Sequence, residues 1–146
     1  MNVIFVGISN KSNSKGEMIP FDLSTPSGKI MAKVDLKLGF KSLKTNLVNH
    51  TPLDNKGKIR YPNTQEISIG IVEIQKYIDI NSPCLVFMLG KIVEKSLSKE
   101  LKTRDGLHLV AIKHPSYIHV YKKSTTDEYI SNILDTVRKY NSDNNL

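Results

Sequence analysis

The sequence predicts an α/β fold: three layers, α/β/α, around a central, mostly parallel four-stranded sheet, in one domain over residues 1–146. Three observations predict it. Four short runs, 2–6, 43–48, 84–89 and 107–112, are rich in apolar, β-branched or aromatic residues and end at turn signals. The segments between them carry apolar residues at helical spacing, and strands alternating with helices build a parallel sheet. The third run, Cys84-Leu85-Val86-Phe87-Met88-Leu89, is continuously apolar. That is the pattern of a strand covered on both faces.

The first strand is Val3-Ile4-Phe5-Val6 with Asn2 before it, closed by Gly7. A polar loop without an apolar period runs from Gly7 to Gly16, and Pro20-Phe21 follows, an aromatic held by a stiff residue. Ser24-Thr25-Pro26-Ser27 is a helix-start signal, hydroxyls able to cap and a proline suited to the first turn. Ile30, Met31, Val34, Leu36 and Leu38 give that helix its apolar face, and Gly39 ends it. After the second strand, 49–63 reads as a loop with Pro52, Asn55, Gly57, Pro62 and Asn63. Loops of that length in a compact domain are often functional. Residues 64–80 form the next helix, with Thr64 as its cap and Ile67, Ile71, Ile74 and Ile78 inward. Ser82-Pro83 ends it. Gly90 turns the third strand into a short helix over 91–97, and His114-Pro115 stops the fourth strand. The last helix is 127–140, with Ile130, Ile133, Leu134 and Val137 inward, and 142–146 is a frayed tail.

Composition bounds the function classes. Hydrophobic residues are 39% and charged residues 24%, a globular composition. The formal net charge of +7 favours a polyanionic partner. Cys84 is the one cysteine, which excludes an internal disulfide and any site built on several cysteines. No window approaches a membrane span, and the N-terminus has no signal-peptide pattern. The expectation is a cytoplasmic monomer that does not enter membranes.

Nucleotide-cofactor motifs fail on spacing. A dinucleotide fold needs Gly-x-Gly-x-x-Gly after the first strand, and here only Gly7 and Gly16 flank the loop. Gly28-Lys29 lacks the upstream glycine of a P-loop and is followed by Ile30. His50, His108, His114 and His119 make no metal-ligand spacing, so neither a metal nor a cofactor is expected. The carboxyl ends of strands one, two and four release Ser9 and Asn10, then Asn49 and His50, then His114. In a parallel sheet these ends share one edge, where such folds keep their ligand.

Taken in order, Gly7-Ile8-Ser9-Asn10, Pro20-Phe21, Thr45-Asn46-Leu47-Val48, Leu89-Gly90-Lys91 and His114-Pro115-Ser116-Tyr117 resemble the uracil-DNA glycosylase superfamily. The resemblance spans Val3 to about Tyr140. It implies that the first motif is Gly7, Ile8, Ser9 and Asn10, lining the base site, with Ser9 or Asn10 at the water. It implies Phe21 as the aromatic that stacks on the base and Asn46 as the base-reading amide. It implies His114 as the leaving-group residue. Ser116, Tyr117 and Ile118, with Lys113 and Lys122, then form the DNA contact, and Tyr117, Ile118 or His119 enters the duplex. The family's usual aspartate or asparagine at the third motif position is Ser9 here, and its alternative glutamate at the second is Ile8. The cysteines of the iron–sulfur branch are absent, and His50 stands near where one of them falls.

The chemistry agrees with those roles. An enzyme acting on a base extrudes it into a pocket. Phe21 offers a stacking face worth ~1–3 kcal/mol per base. The Asn46 amide carries an acceptor and two donors for a uracil edge. A His114 N–H can stabilise charge developing on the departing ring. Ile118 would serve as an apolar wedge, and Lys113, Lys122 and Lys123 would face phosphates. The expected function is a monofunctional DNA glycosylase, hydrolysing the bond between sugar and uracil or a related base. The alternatives are a glycosylase-fold protein that binds DNA or a nucleobase without cutting, and an enzyme of free nucleosides. Each residue also has a plainer reading: Phe21 as core, Asn46 as a strand-end cap, the lysines as a solvated face.

Overall fold

The computed structural model describes residues 2–11, 15–83, 85–102 and 104–144, and of Lys123 the backbone only. Its elements are β1 (Val3–Ser9), α1 (Pro26–Leu38), β2 (Leu43–Val48), α2 (Thr64–Asn81), β3 (Leu85–Leu89), α3 (Lys91–Leu101), β4 (His108–Ile112), α4 (Pro115–Tyr121) and α5 (Thr126–Asp143), with a 3-10 turn over Lys123–Thr125. The four strands form one parallel sheet in the order β2-β1-β3-β4. Cys84, expected to open the third strand, lies outside the described residues.

Side chains alternate across the sheet, which separates two cores. Val3, Phe5, Leu85, Phe87 and Leu89 face α1, α4 and α5, meeting Ile30, Met31, Val34, Ile118, Ile130 and Ile133. Within this layer the Phe5 and Phe87 rings stack at 4.7 Å. Ile4, Val6, Leu47, Val86 and Met88 face α2 and α3, meeting Ile74, Ile78, Val93, Leu97 and Leu101. The chain winds outward from β1 to β2, then crosses back to β3. The carboxyl ends of β1 and β3 therefore mark the point where the winding reverses, the usual crevice of such sheets. Among the described residues no helix is long and apolar enough to cross a membrane.

Several expectations are corrected. Gly7 does not end the first strand; β1 runs on to Ser9, because Ser9 still pairs in register with Val48. Leu36 of α1 is 82% exposed and turns away from the core. Asn63, not Thr64, caps α2: its side chain accepts from Glu66 N at 2.8 Å, and Glu66 Oε1 accepts from Asn63 N at 3.0 Å. α3 continues to Leu101, whose side chain is fully buried. Residues 142 and 143 belong to α5 rather than to a frayed tail. The largest difference is α4. His114-Pro115 ends β4 but also opens a helix, since proline at the first helical position loses no hydrogen bond and His114 caps the turn.

Candidate active site

The site is assembled at the reversal point. Gly7 in β1 lies directly across from Asn46 in β2. Asn46 is 9% exposed, and its Nδ2 donates to Asn10 Oδ1. Asn10 is 6% exposed and fully engaged. Its N–H donates to Val48 O at 3.1 Å, its Nδ2 to Asn49 O at 3.0 Å, and its carbonyl accepts from Thr51 Oγ1 at 2.6 Å. Asn10 thereby orients the Asn46 amide, because an asparagine that accepts through Oδ1 forces the facing group to present its N–H.

Phe21 enters from the other side. Its backbone is left-handed, at φ 55°, a conformation that costs a bulky residue ~1–2 kcal/mol and persists only where surroundings dictate it. They do so here. Asp22 O accepts from Thr25 N at 2.9 Å and Thr25 Oγ1 at 2.7 Å, while Thr25 Oγ1 caps α1 by accepting from Gly28 N at 3.0 Å. The half-buried Phe21 ring stacks on the His114 imidazole at 5.8 Å and 25°.

His114 is the N-cap of α4. Its Nδ1 accepts from Ser116 N at 3.1 Å and lies 2.8 Å from Ser116 Oγ. A ring nitrogen that accepts a backbone N–H carries no proton, so the neutral ring bears its hydrogen on Nε2. Burial, and then the charge of Lys11, pull the His114 pKa down to about 4. At neutral pH this residue is an uncharged N–H donor.

Phe21, Asn46 and His114 share one cavity of about 310 Å³, lined by Ser9, Lys11, Ile19, Phe21, Asp22, Thr25, Pro26, Ser27, Asn46, His114, Ser116, His119 and Val120. A larger hollow of about 780 Å³ runs between β4 and the end of α5, from Gly106 to Ala111 and Thr136 to Asn144. It carries none of the expected site residues. Among the described residues no three His, Cys, Asp or Glu side chains gather at metal-binding distance.

Four sequence expectations fall elsewhere. Asn10 does not line the cavity and is spent on holding Asn46. Ile8 packs toward the α2–α3 layer, because strand alternation sends it away from Gly7 and Ser9. Ile118, expected as a wedge into DNA, is 6% exposed and belongs to the core beneath α4. His50, on the loop after β2, contacts Glu66 rather than the cavity. The exposed groups of α4 are Ser116, Tyr117, Val120 and Tyr121. Lys113 and Lys122 are exposed at its two ends, with Lys113 Nζ 4.9 Å from the centre of the Tyr117 ring. The sequence reading missed Lys11, Asp22 and Val120. For Val120 the signal was available: Ser116, His119 and Val120 stand at helical spacing opposite Ile118, once Pro115 is read as a helix start.

Comparison with known proteins bears on the fold and the family. No curated protein matches the chain by sequence. Among solved structures, the crystal structure of wild-type Pedobacter heparinus SMUG2 superimposes with a TM-score of 0.74 at 20% identity, covering 97% of this chain and 76% of that one. A sequence profile described as the uracil DNA glycosylase superfamily matches residues 1–138. The chain belongs to the uracil DNA glycosylase superfamily, whose members are DNA glycosylases.

Proposed function

We propose that this protein hydrolyses the bond between deoxyribose and uracil, or a closely related base, flipped out of DNA, and that it leaves an abasic site. The observation that carries the reading is the neutral His114, with Nδ1 occupied by Ser116 and the proton on Nε2, in one cavity with Phe21 and Asn46. A base entering it would stack on Phe21 and read the Asn46 amide. As the glycosidic bond breaks, its electron pair passes to the base, and the His114 N–H would stabilise the carbonyl oxygen that takes the charge. Water then adds to the sugar carbon and releases a proton. The Ser9 hydroxyl lines the cavity and would position that water, but it is no base, so the expected enzyme is slow. Lys113 and Lys122 at the ends of α4 would meet phosphates, which makes affinity fall with salt.

A second reading has one observation behind it. Asn10, a candidate for orienting water, is turned into the fold. With Ser9 alone at the water, the protein could bind a flipped base and not cut. One assay separates the two: incubate with uracil in single- and double-stranded oligonucleotides, cleave abasic sites with alkali, and measure binding in parallel. Excision unaffected by a chelator and reduced ~10²–10³-fold in His114→Ala supports the glycosylase. Binding with no excision on any uracil substrate replaces it with the binding protein.

A further inference from the structure

We propose that Lys11 stabilises the departing base, its ammonium group supplying positive charge beside His114 at the base end of the cavity. This rests on the glycosylase reading and names a group which that reading does not use.

Three observations carry it. Lys11 lines the same cavity as Phe21, Asn46 and His114. It is exposed, and it follows directly on the buried Asn10, whose four hydrogen bonds fix where the chain leaves β1. Its charge is also felt at the imidazole, where it adds to burial in keeping His114 neutral. The water side of the reaction is poorly served by comparison. Ile8 and Ser9 bring no carboxylate, and the one acid among the described lining residues, Asp22, accepts from Ser24 N and Ser24 Oγ through Oδ2.

The balance of charge explains why a cation helps here. Breaking the glycosidic bond leaves the electron pair on the base and a positive sugar. A cation at the base end stabilises the first more than it disturbs the second, because Coulomb energy falls with distance. No further reactant is needed: the base leaves as an anion held by the His114 N–H and the Lys11 charge, and takes its proton from solvent on release.

The test compares wild type, Lys11→Met and Lys11→Arg under single-turnover conditions on uracil and 5-fluorouracil in the same oligonucleotide. Fluorine makes the base a better leaving group, so it needs less help. The expected result is a loss of about tenfold or more on uracil in Lys11→Met, a clearly smaller loss on 5-fluorouracil, and recovery in Lys11→Arg. Equal losses on both bases, or loss confined to DNA affinity, would make Lys11 a phosphate contact and overturn the proposal. NMR titration of the His114 ring gives a readout independent of turnover. Its midpoint should rise in Lys11→Met, and an unmoved midpoint also overturns the proposal. If wild type excises neither base, the glycosylase reading falls by itself, and the titration still decides whether Lys11 acts at His114.

Discussion

Gly7→Ala is the sharpest test of how the cavity is built. A methyl group at residue 7 would lie 2.3 Å from Asn46 Oδ1 and 2.8 Å from Phe21 Cζ. Ordinary contacts to a methyl carbon begin near ~3.5 Å, so the two neighbours must give by roughly an ångström. Neither can do so cheaply. Asn46 is held by its bond to the buried Asn10, and Phe21 sits on a left-handed turn closed by Thr25 and α1. Overpacking of this kind costs ~1–3 kcal/mol, which for ~150 residues lowers Tm by roughly 2–12 °C. A typical stability of ~5–15 kcal/mol leaves such a variant almost wholly folded at 25 °C. Misplacing a binding group by ~1 Å can cost ~10²-fold in rate. Activity should therefore collapse while the fold survives. Thermal melts by circular dichroism and single-turnover uracil excision measure the two effects separately. Gly7→Ala with wild-type excision and wild-type Tm would show that Asn46 and Phe21 do not close over residue 7, and the account of the cavity would be wrong.

Four further outcomes follow from the structure. Asn10→Ala should act through Asn46, losing ~1–3 kcal/mol in a urea melt because buried partners are left unpaired. Ser9→Ala should leave stability unchanged and slow excision only modestly; a Ser9→Ala variant as dead as His114→Ala would refute the leaving-group account. Excision should be level near neutral pH and fall about tenfold per unit below pH 4, as His114 takes a second proton and Nδ1 releases Ser116. A fall starting near the ordinary histidine value of 6.5 would count against a desolvated His114. Glu66 is held down to about 2 by Arg60, Asn63 and His50, so the 49–63 loop should keep its clasp above pH 4.5 and lose it as pH falls toward 2. Glu66→Gln should do the same at neutral pH, seen as faster amide exchange within 51–62.

The sequence by itself determined the order of the elements and the edge where the site lies. Short apolar runs rich in β-branched residues and bounded by turn signals read as strands, helical spacing marks the segments between them, and both signals are local. β2 was legible to the residue, and so were Ile130, Ile133, Leu134 and Val137 on the inner face of α5, because each depends only on its own neighbours in the chain. The polar residues after β1 and the His-Pro-Ser after β4 pointed to the edge of the sheet that holds the candidate cavity. Tertiary structure decided which side chains of those motifs meet. Register sets Asn46 against Gly7, and a strand that runs three residues past its apolar run turns Ile8 to the opposite layer. A helix after His114 carries Ile118 into the core and leaves Val120 on the cavity wall. The Asn10 side chain could equally have faced water or the fold, and its partners come from β2 and the loop beyond it, 36 to 41 residues away. Side-chain direction at a strand end or in a short helix depends on packing from distant parts of the chain, and that information is absent from any local window.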